Sequence, residues 1–263
     1  MKKPGIVFFD IDGTLYTKEM IVPPSTKEAI AELKNKGVYV AIATGRAPFM
    51  FEELREELGI ETFVSFNGSY VVAEGEVIEK KPLNFNYLTR LKEHAESQNH
   101  PMVFVDHEDF RSTVSNHPHI VESVGGLKLP YPSEDPDYFK EREIYQALLF
   151  CSGHEEHVYL HSHPKFDFVR WHNLAVDVLP QGGSKAEGIK TVARHLGFTI
   201  DEAAAFGDAL NDIQMLEMVG AGVAMGNALD KTKAAADFVT ASVDEGGIRA
   251  GLETLGLLEG NKV

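Results

Sequence analysis

Short unbroken apolar runs alternate along this chain with stretches whose apolar residues recur every three or four positions. Ile6-Val7-Phe8-Phe9 has the pattern of a strand buried on both faces. Ser25-Thr26-Lys27-Glu28 reads as a capping box opening a helix, with Ala29, Ile30 and Leu33 inward and Gly37 at its end. Val38 to Ala43 predicts a second buried strand, and Pro48 a helix with Phe51, Leu54 and Leu58 on one face. After Phe63 to Phe66, Asn67-Gly68 and Glu74-Gly75 punctuate two short strands as in hairpins.

The pattern loosens in the middle. From about Leu83 to Leu179 a helix is predicted around Leu88, Leu91 and Ala95, and strands around Val103 and Leu149. A loop-rich stretch interrupts them, holding Pro118, Gly125, Gly126, Pro130, Pro132 and Pro136. Two strands, Phe166 to Trp171 and Leu174 to Leu179, close this section. Strict alternation then returns. Ser184-Lys185-Ala186-Glu187 is another capping box, opening a helix with Ile189, Val192 and Leu196 inward and Gly197 as its stop. Strands over Ala203 to Phe206, Ala221 to Met225 and Phe238 to Thr240 alternate with further helices. Repeated βα units predict an α/β protein, a Rossmann-like parallel sheet with helices on both faces, split by an insertion.

Charge and cysteine content narrow the function. With 25 Lys+Arg against 40 Asp+Glu the formal net charge is −15, which opposes nucleic-acid backbones and anionic lipid alike. The single cysteine, Cys151, lies in the apolar run Ala147-Leu148-Leu149-Phe150-Cys151 and reads as a buried, inert thiol. No run approaches the roughly 18 apolar residues of a membrane helix, and the four apolar residues before Asp10 are too few for a signal-peptide core. These features predict a cytoplasmic protein with neither nucleic-acid nor membrane partners.

The candidate chemistry sits just after the buried strands, where open parallel sheets bind ligands. Asp10-Ile11-Asp12-Gly13-Thr14 follows the first strand, Thr44-Gly45-Arg46 the second, and Gly207-Asp208-Ala209-Leu210-Asn211-Asp212 the strand near Phe206. Asp10 and Asp12, two apart, are expected to project to one side. With Asp208 from another strand end they make three convergent carboxylates, which repel unless a cation neutralises them. All-oxygen ligation suits Mg2+. Lys185, Thr44 and the helix start at Ser184 then offer a charge, a hydroxyl and a dipole to phosphate oxygens.

In order along the chain, these motifs and Gly183-Ser184-Lys185 resemble the four motifs of haloacid dehalogenase (HAD) superfamily phosphatases. Pro180-Gln181-Gly182-Gly183-Ser184-Lys185 and Ala224-Met225-Gly226-Asn227 are similar to Cof-type, subfamily IIB members. The resemblance implies a catalytic core over 1–82 and 184–263 and an inserted α/β cap over 83–183. It further implies Asp10 as the nucleophile, ionised at neutral pH because an unperturbed Asp titrates near ~3.9, and Asp12 as the general acid and base, its pKa raised by its anionic neighbour. Mg2+ is expected on the Asp10 and Asp208 carboxylates and the Asp12 backbone carbonyl, with Asp212 as an outer partner. Thr44, Gly45, Lys185 and Asn211 are expected to hold the phosphoryl group, and Arg46 either joins them or pairs with a helix acid. The implied substrate is a small phosphorylated metabolite (a sugar phosphate, nucleotide or cofactor phosphate), and the implied assembly a monomer or weak homo-oligomer. A phosphotransferase or phosphomutase using the same aspartates, and a non-catalytic phosphate-ligand binding protein, are the alternatives.

Three other signals carry less. Gly220-Ala221-Gly222-Val223-Ala224-Met225-Gly226 approximates a dinucleotide fingerprint but lies in a predicted strand. His161-x-His163, with His154 and His157, reads as an exposed histidine-rich surface rather than a metal site. Arg170, Trp171 and His172 stand between the last two cap strands, where the resemblance places substrate-selecting residues or simple cap core.

Overall fold

Ile6–Phe9 form β1, and all four residues are buried. The structure, a computed structural model, describes residues 2–126 and 129–260. Residues 1 and 261–263 of the expected core and 127–128 of the expected cap lie outside the described residues. Next along the chain come α1 (Pro24–Asn35), β2 (Tyr39–Ala43), α2 (Glu52–Leu58), β3 (Phe63–Ser65), β4 (Tyr70–Ala73) and β5 (Glu76–Lys80). The Ser25 capping box does not form. Pro23 and Pro24 set the start of α1 with no side-chain cap bond, because proline's fixed φ and missing N–H already suit the first turn. The stretch from Pro48 divides into a 3-10 turn, Pro48–Phe51, and then α2.

The next segment holds α3 (Phe85–Ser97), β6 (Met102–Val105), β7 (Phe110–Ser112), α4 (Pro118–Gly126), β8 (Ser133–Glu134), β9 (Gln146–Leu149), α5 (His157–Ser162), β10 (Phe166–His172) and β11 (Ala175–Pro180). Here α4 corrects the expected loop. Pro118 is its first residue, and Ile120 and Val124, four apart, are buried together. The chain ends with α6 (Lys185–His195), β12 (Ala203–Gly207), α7 (Ile213–Met218), β13 (Ala221–Ala224), α8 (Asp230–Ala235), β14 (Phe238–Val239) and α9 (Gly247–Thr254).

These elements fall into two compact units. One comprises the chain up to Arg46, Phe51–Lys80 and everything from Ser184 onward; the other comprises Ala47–Met50 and Lys81–Gly183. Among the described residues the first unit carries an eight-stranded sheet ordered β14-β13-β12-β1-β2-β3-β4-β5. Its strands run parallel from β14 to β3, and β4 and β5 add two antiparallel hairpins at the Asn67-Gly68 and Glu74-Gly75 turns. One sheet face, with Ile6, Phe8, Ala203 and Ala205, packs on Ile189 and Val192 of α6 and Met215 and Leu216 of α7. On the other face Phe9 stacks on Phe206 at 5.1 Å, and the Phe206 ring lies against Gly251 of α9. With both faces covered, the parallel strands must be apolar throughout, as their sequences are.

In the second unit the sheet order is β10-β11-β9-β6-β7-β8, antiparallel except for the β7–β8 pair. Leu88, Leu91 and Ala95 of α3 and Tyr159 of α5 pack against Phe104, Ala147, Leu149, Val176 and Val178. Cys151 joins that core, and burial pushes its thiol above the ordinary range. The thiol is therefore chemically quiet. Arg170 is held structurally, by Glu156 at 2.8 Å and by the carbonyls of Cys151, His172 and Asn173.

Candidate active site

Parallel pairing sets Phe9 beside Phe206 and Phe9 beside Ile42, so β1 lies between β12 and β2. Asp10, Asp208 and Thr44 each stand one residue beyond the end of one of these three adjacent strands. The chain leaves β1 toward β2 and returns on the opposite side at β12, which opens a crevice at the strand ends. The Asp10 N–H donates to the Phe206 carbonyl at 3.0 Å, continuing the sheet ladder one step into the site.

Lys185 enters from α6. The Ser184 side chain accepts the Glu187 N–H and caps the helix, leaving Lys185 as its first residue and fully buried. Its Nζ donates to Asp10 Oδ1 and to Asp212 Oδ1, both at 2.6 Å. Asp212 is also fully buried, and its Oδ2 accepts the backbone N–H groups of Asp208 and Ala209, each at 2.9 Å. One ammonium thus faces two buried carboxylates. Burial by itself disfavours the Lys185 cation, but Asp10 and Asp212 more than offset that and hold its pKa above the ordinary lysine value.

Asp10 does not keep an ordinary carboxylate pKa. Burial raises it well above that range, Lys185 pulls against this, and Asp212 and Asp12 push it further up. Burial also pushes Asp208 up to about 7, with Asp212 repelling it and Lys185 opposing. Such a site carries more negative charge than its one lysine balances.

One oxygen each from Asp10, Asp208 and Asp212 lies within 4.8 Å of the others, the one metal-capable group of three found among the described residues. Asp208 Oδ1 is buried without a hydrogen-bond partner among the described residues, as an atom awaiting a cation would be. The donors are all oxygen, and the residues fit Mg2+. The structure therefore brings the Asp212 side chain into the carboxylate group, where Asp12 was expected. Gly13 makes the close approach feasible. Its φ is +77°, and a Cβ there would stand 2.1 Å from Asp208 Oδ2. Asn227 ties the same two loops together, donating to the Gly13 carbonyl at 2.8 Å and to Asp208 Oδ2 at 3.3 Å.

The Asp12 side chain turns toward solvent and is 59% exposed. Arg46 grips it through two parallel bonds, Nε to Oδ2 at 2.8 Å and Nη2 to Oδ1 at 2.6 Å. Arg46 therefore pairs with an acid of the site rather than with a helix acid. Thr44 is buried, and its hydroxyl accepts the Arg46 N–H at 3.1 Å. The exposed Asn211 donates from Nδ2 to Asn67 Oδ1 at 3.1 Å, and Asn67 also lies against Gly45. In the sequence Asn67 reads only as turn punctuation, and Asn227 carries no role of its own. Within the second unit, His94 Nδ1 lies 3.0 Å from His163 Nε2, and His161 Nδ1 bonds the His157 carbonyl at 3.2 Å. The apparent dinucleotide fingerprint is strand β13.

Residues 7–252 match the family of haloacid dehalogenase-like hydrolases. The chain is 50% identical over 254 residues to the candidate phosphatase YkrA of Bacillus subtilis (strain 168), covering 97% of this chain and 98% of that one. A crystal structure of a hypothetical protein from Geobacillus kaustophilus HTA426 superposes with a TM-score of 0.95 at 54% identity, covering 97% of this chain and all of that one. The HAD subclass IIB sugar phosphatase BT4131 superposes with a TM-score of 0.83 at 33% identity, covering 96% of this chain and 99% of that one.

Proposed function

The chain belongs to the haloacid dehalogenase-like hydrolases and is a phosphatase of the subclass IIB type, and from that premise we propose that it is a Mg2+-dependent phosphomonoesterase. The substrate class we infer is small phosphorylated metabolites, sugar phosphates among them by likeness to BT4131. The cytoplasm and a monomeric or weakly self-associating state belong to the same reading. Its main support is the orphaned, buried Asp208 Oδ1 beside Asp10 and Lys185. That arrangement needs a cation and orients a carboxylate.

Asp10, Asp208 and Asp212 would hold Mg2+, Asp212 through its hydrogen-bonded neighbours, and the Asp12 backbone carbonyl would complete the protein's share. When bound, Mg2+ supplies positive charge to the phosphoryl oxygens and favours the ionised carboxylates. Lys185 fixes one Asp10 oxygen, so the other is presented to phosphorus. Asp10 forms the new O–P bond while the ester O–P bond breaks, and Asp12, protonated for this step and released from the Arg46 fork, would give its proton to the departing oxygen. Asp12 then takes a proton from water, which attacks the aspartyl phosphate and releases inorganic phosphate and Asp10. Thr44, Gly45 and Asn211 would hold the transferring group, and Arg46 keeps the ionised Asp12 in one orientation for the water step. The test is phosphate release from a broad panel of phosphomonoesters, with Mg2+ and with chelator. Release that needs Mg2+ and vanishes in Asp10→Asn supports the reading, and no release from any ester sinks it.

A further inference from the structure

Two consecutive residues of the turn between β3 and β4 stand in the left-handed region, Phe66 at φ 49° and Asn67 at φ 51°. Asparagine tolerates that conformation, but for a bulky aromatic residue it is a genuine outlier. Strain of this kind persists only where surrounding contacts over-determine it. Here the Phe66 N–H donates to the Arg46 carbonyl and the Asn67 N–H to the Thr44 carbonyl, at 3.3 and 3.0 Å. Ser65 Oγ donates to the same Arg46 carbonyl at 2.5 Å. The turn is thus locked onto Thr44-Gly45-Arg46.

Its effect is to deliver one side chain. A Cβ at Gly45 would come within 3.1 Å of Asn67 Nδ2, so the amide lies directly over the Gly45 backbone. Asn67 Oδ1 accepts from Asn211 Nδ2, which fixes the amide's orientation and leaves its own Nδ2 donors uncommitted among the described residues. On the other side Gly68 lies against the Ser184 carbonyl, one residue before Lys185. The Asn67 amide therefore touches Gly45 and Asn211, both assigned above to phosphoryl binding, while the turn that carries it abuts the residue before Lys185.

We propose that Asn67 is a further phosphoryl-binding residue, whose Nδ2 donates to an oxygen of the phosphate beside Gly45 and Asn211. This rests on the phosphatase reading for its substrate, yet it is a statement about binding and can be measured without turnover. The competing explanation is that Asn67 is present only because asparagine accommodates a left-handed turn. Glycine separates the two, since it relieves the backbone cost while removing the amide.

The experiment is calorimetric binding of inorganic phosphate, with Mg2+ present, to wild-type protein, Asn67→Gly and Asn67→Asp. Asn67→Gly is expected to melt at or above the wild-type temperature and to bind phosphate about tenfold more weakly, the loss of one charge-assisted hydrogen bond. Asn67→Asp keeps the acceptor for Asn211 but replaces the donors with a negative charge, so it is expected to bind more weakly still. If either folded variant binds phosphate as tightly as wild type, the proposal is overturned. Should Asn67→Gly fail to fold, Asn67→Asp decides alone. Binding decides the matter even if no ester in the panel is hydrolysed, so failure here and failure of the phosphatase reading remain distinct.

Discussion

Arg46 and Asp12 form a forked ion pair, with the guanidinium Nε and Nη2 on the two carboxylate oxygens at 2.8 and 2.6 Å. A single point of attachment would let an exposed carboxylate rotate, whereas two parallel bonds fix its plane. Arg46 is itself held from behind, its N–H on Thr44 Oγ1 and its carbonyl on Ser65 Oγ. The fork holds Asp12 in the ionised form that takes a proton from water, so its orientation sets the rate at which the aspartyl phosphate is hydrolysed. Arg46→Ala is then expected to lower kcat about tenfold or more with little change in KM, within the range general acid–base catalysis supplies. Arg46→Lys keeps the charge but not the fork and is expected to fall between. Steady-state kinetics on any accepted ester checks this, and a rise in KM with kcat intact would instead place Arg46 on the substrate.

Lys185 poses the opposite problem, a cation buried between two acids. Removing it leaves Asp10 and Asp212 buried at 7% and 0% side-chain exposure with no counter-charge. Lys185→Met is expected to cost about 3–5 kcal/mol of stability, the range for breaking a buried pair from one side. The denaturant midpoint should drop accordingly, and activity should be lost. The double variant Lys185→Met with Asp212→Asn should recover part of the stability without recovering activity. A midpoint unchanged in the single variant would show that the pair contributes nothing to the fold.

Much of this site is legible in the sequence because strand ends are legible. Once Ile6–Phe9, Tyr39–Ala43 and Ala203–Gly207 are read as buried parallel strands, Asp10, Thr44 and Asp208 must meet at one edge. Asp212 is not read so directly. Its carboxylate reaches the group only because the Leu210–Asp212 turn folds it back onto the N–H groups of Asp208 and Ala209. The Asp208 to Asp212 spacing, one helical turn, was the available sign. Asn67 was hidden for a different reason, since Asn-Gly is adequate as a hairpin turn and its amide acquires partners only through tertiary contact. Local rules also lost at α1, where two prolines outweigh the Ser25 box. At α4 the four-residue spacing of Ile120 and Val124 prevails over flanking proline and glycine.

The orphaned Asp208 Oδ1 predicts a stability effect of the metal alone. A ligand that binds the folded chain and not the unfolded one raises the melting temperature by mass action. Mg2+ at millimolar concentration is expected to raise Tm in wild type, and the rise should disappear in Asp208→Asn. Gly13→Ala should also abolish it, because the new Cβ would strike Asp208 Oδ2 in a backbone conformation that disfavours L side chains. A scan of Tm against Mg2+ for the three proteins checks both points. An equal shift in all three would move the ion to some other place.

Asp177 gives a prediction independent of the active site. It lies on β11 with Leu148 and Val169 as its cross-strand partners, and neither carries a charge. Burial pushes its carboxyl up to about 7 from 3.8, and Gln146 and Trp171 beside it only partly oppose this. The folded chain therefore keeps a proton that the unfolded chain has already released between roughly pH 4 and 7. In that window the unfolded state binds fewer protons, so stability falls as pH rises, and above the folded pKa the penalty is constant. The amide of an Asp177→Asn variant cannot ionise, and it replaces a neutral carboxyl of nearly the same shape. That variant should thus match wild type near pH 4 and exceed it in Tm by a margin that grows to about pH 7 and then levels. Thermal melts of both proteins across that range, read as differences so that other titrations cancel, test the sign directly. A margin that shrinks with rising pH would mean that Asp177 is ionised and paired in the fold.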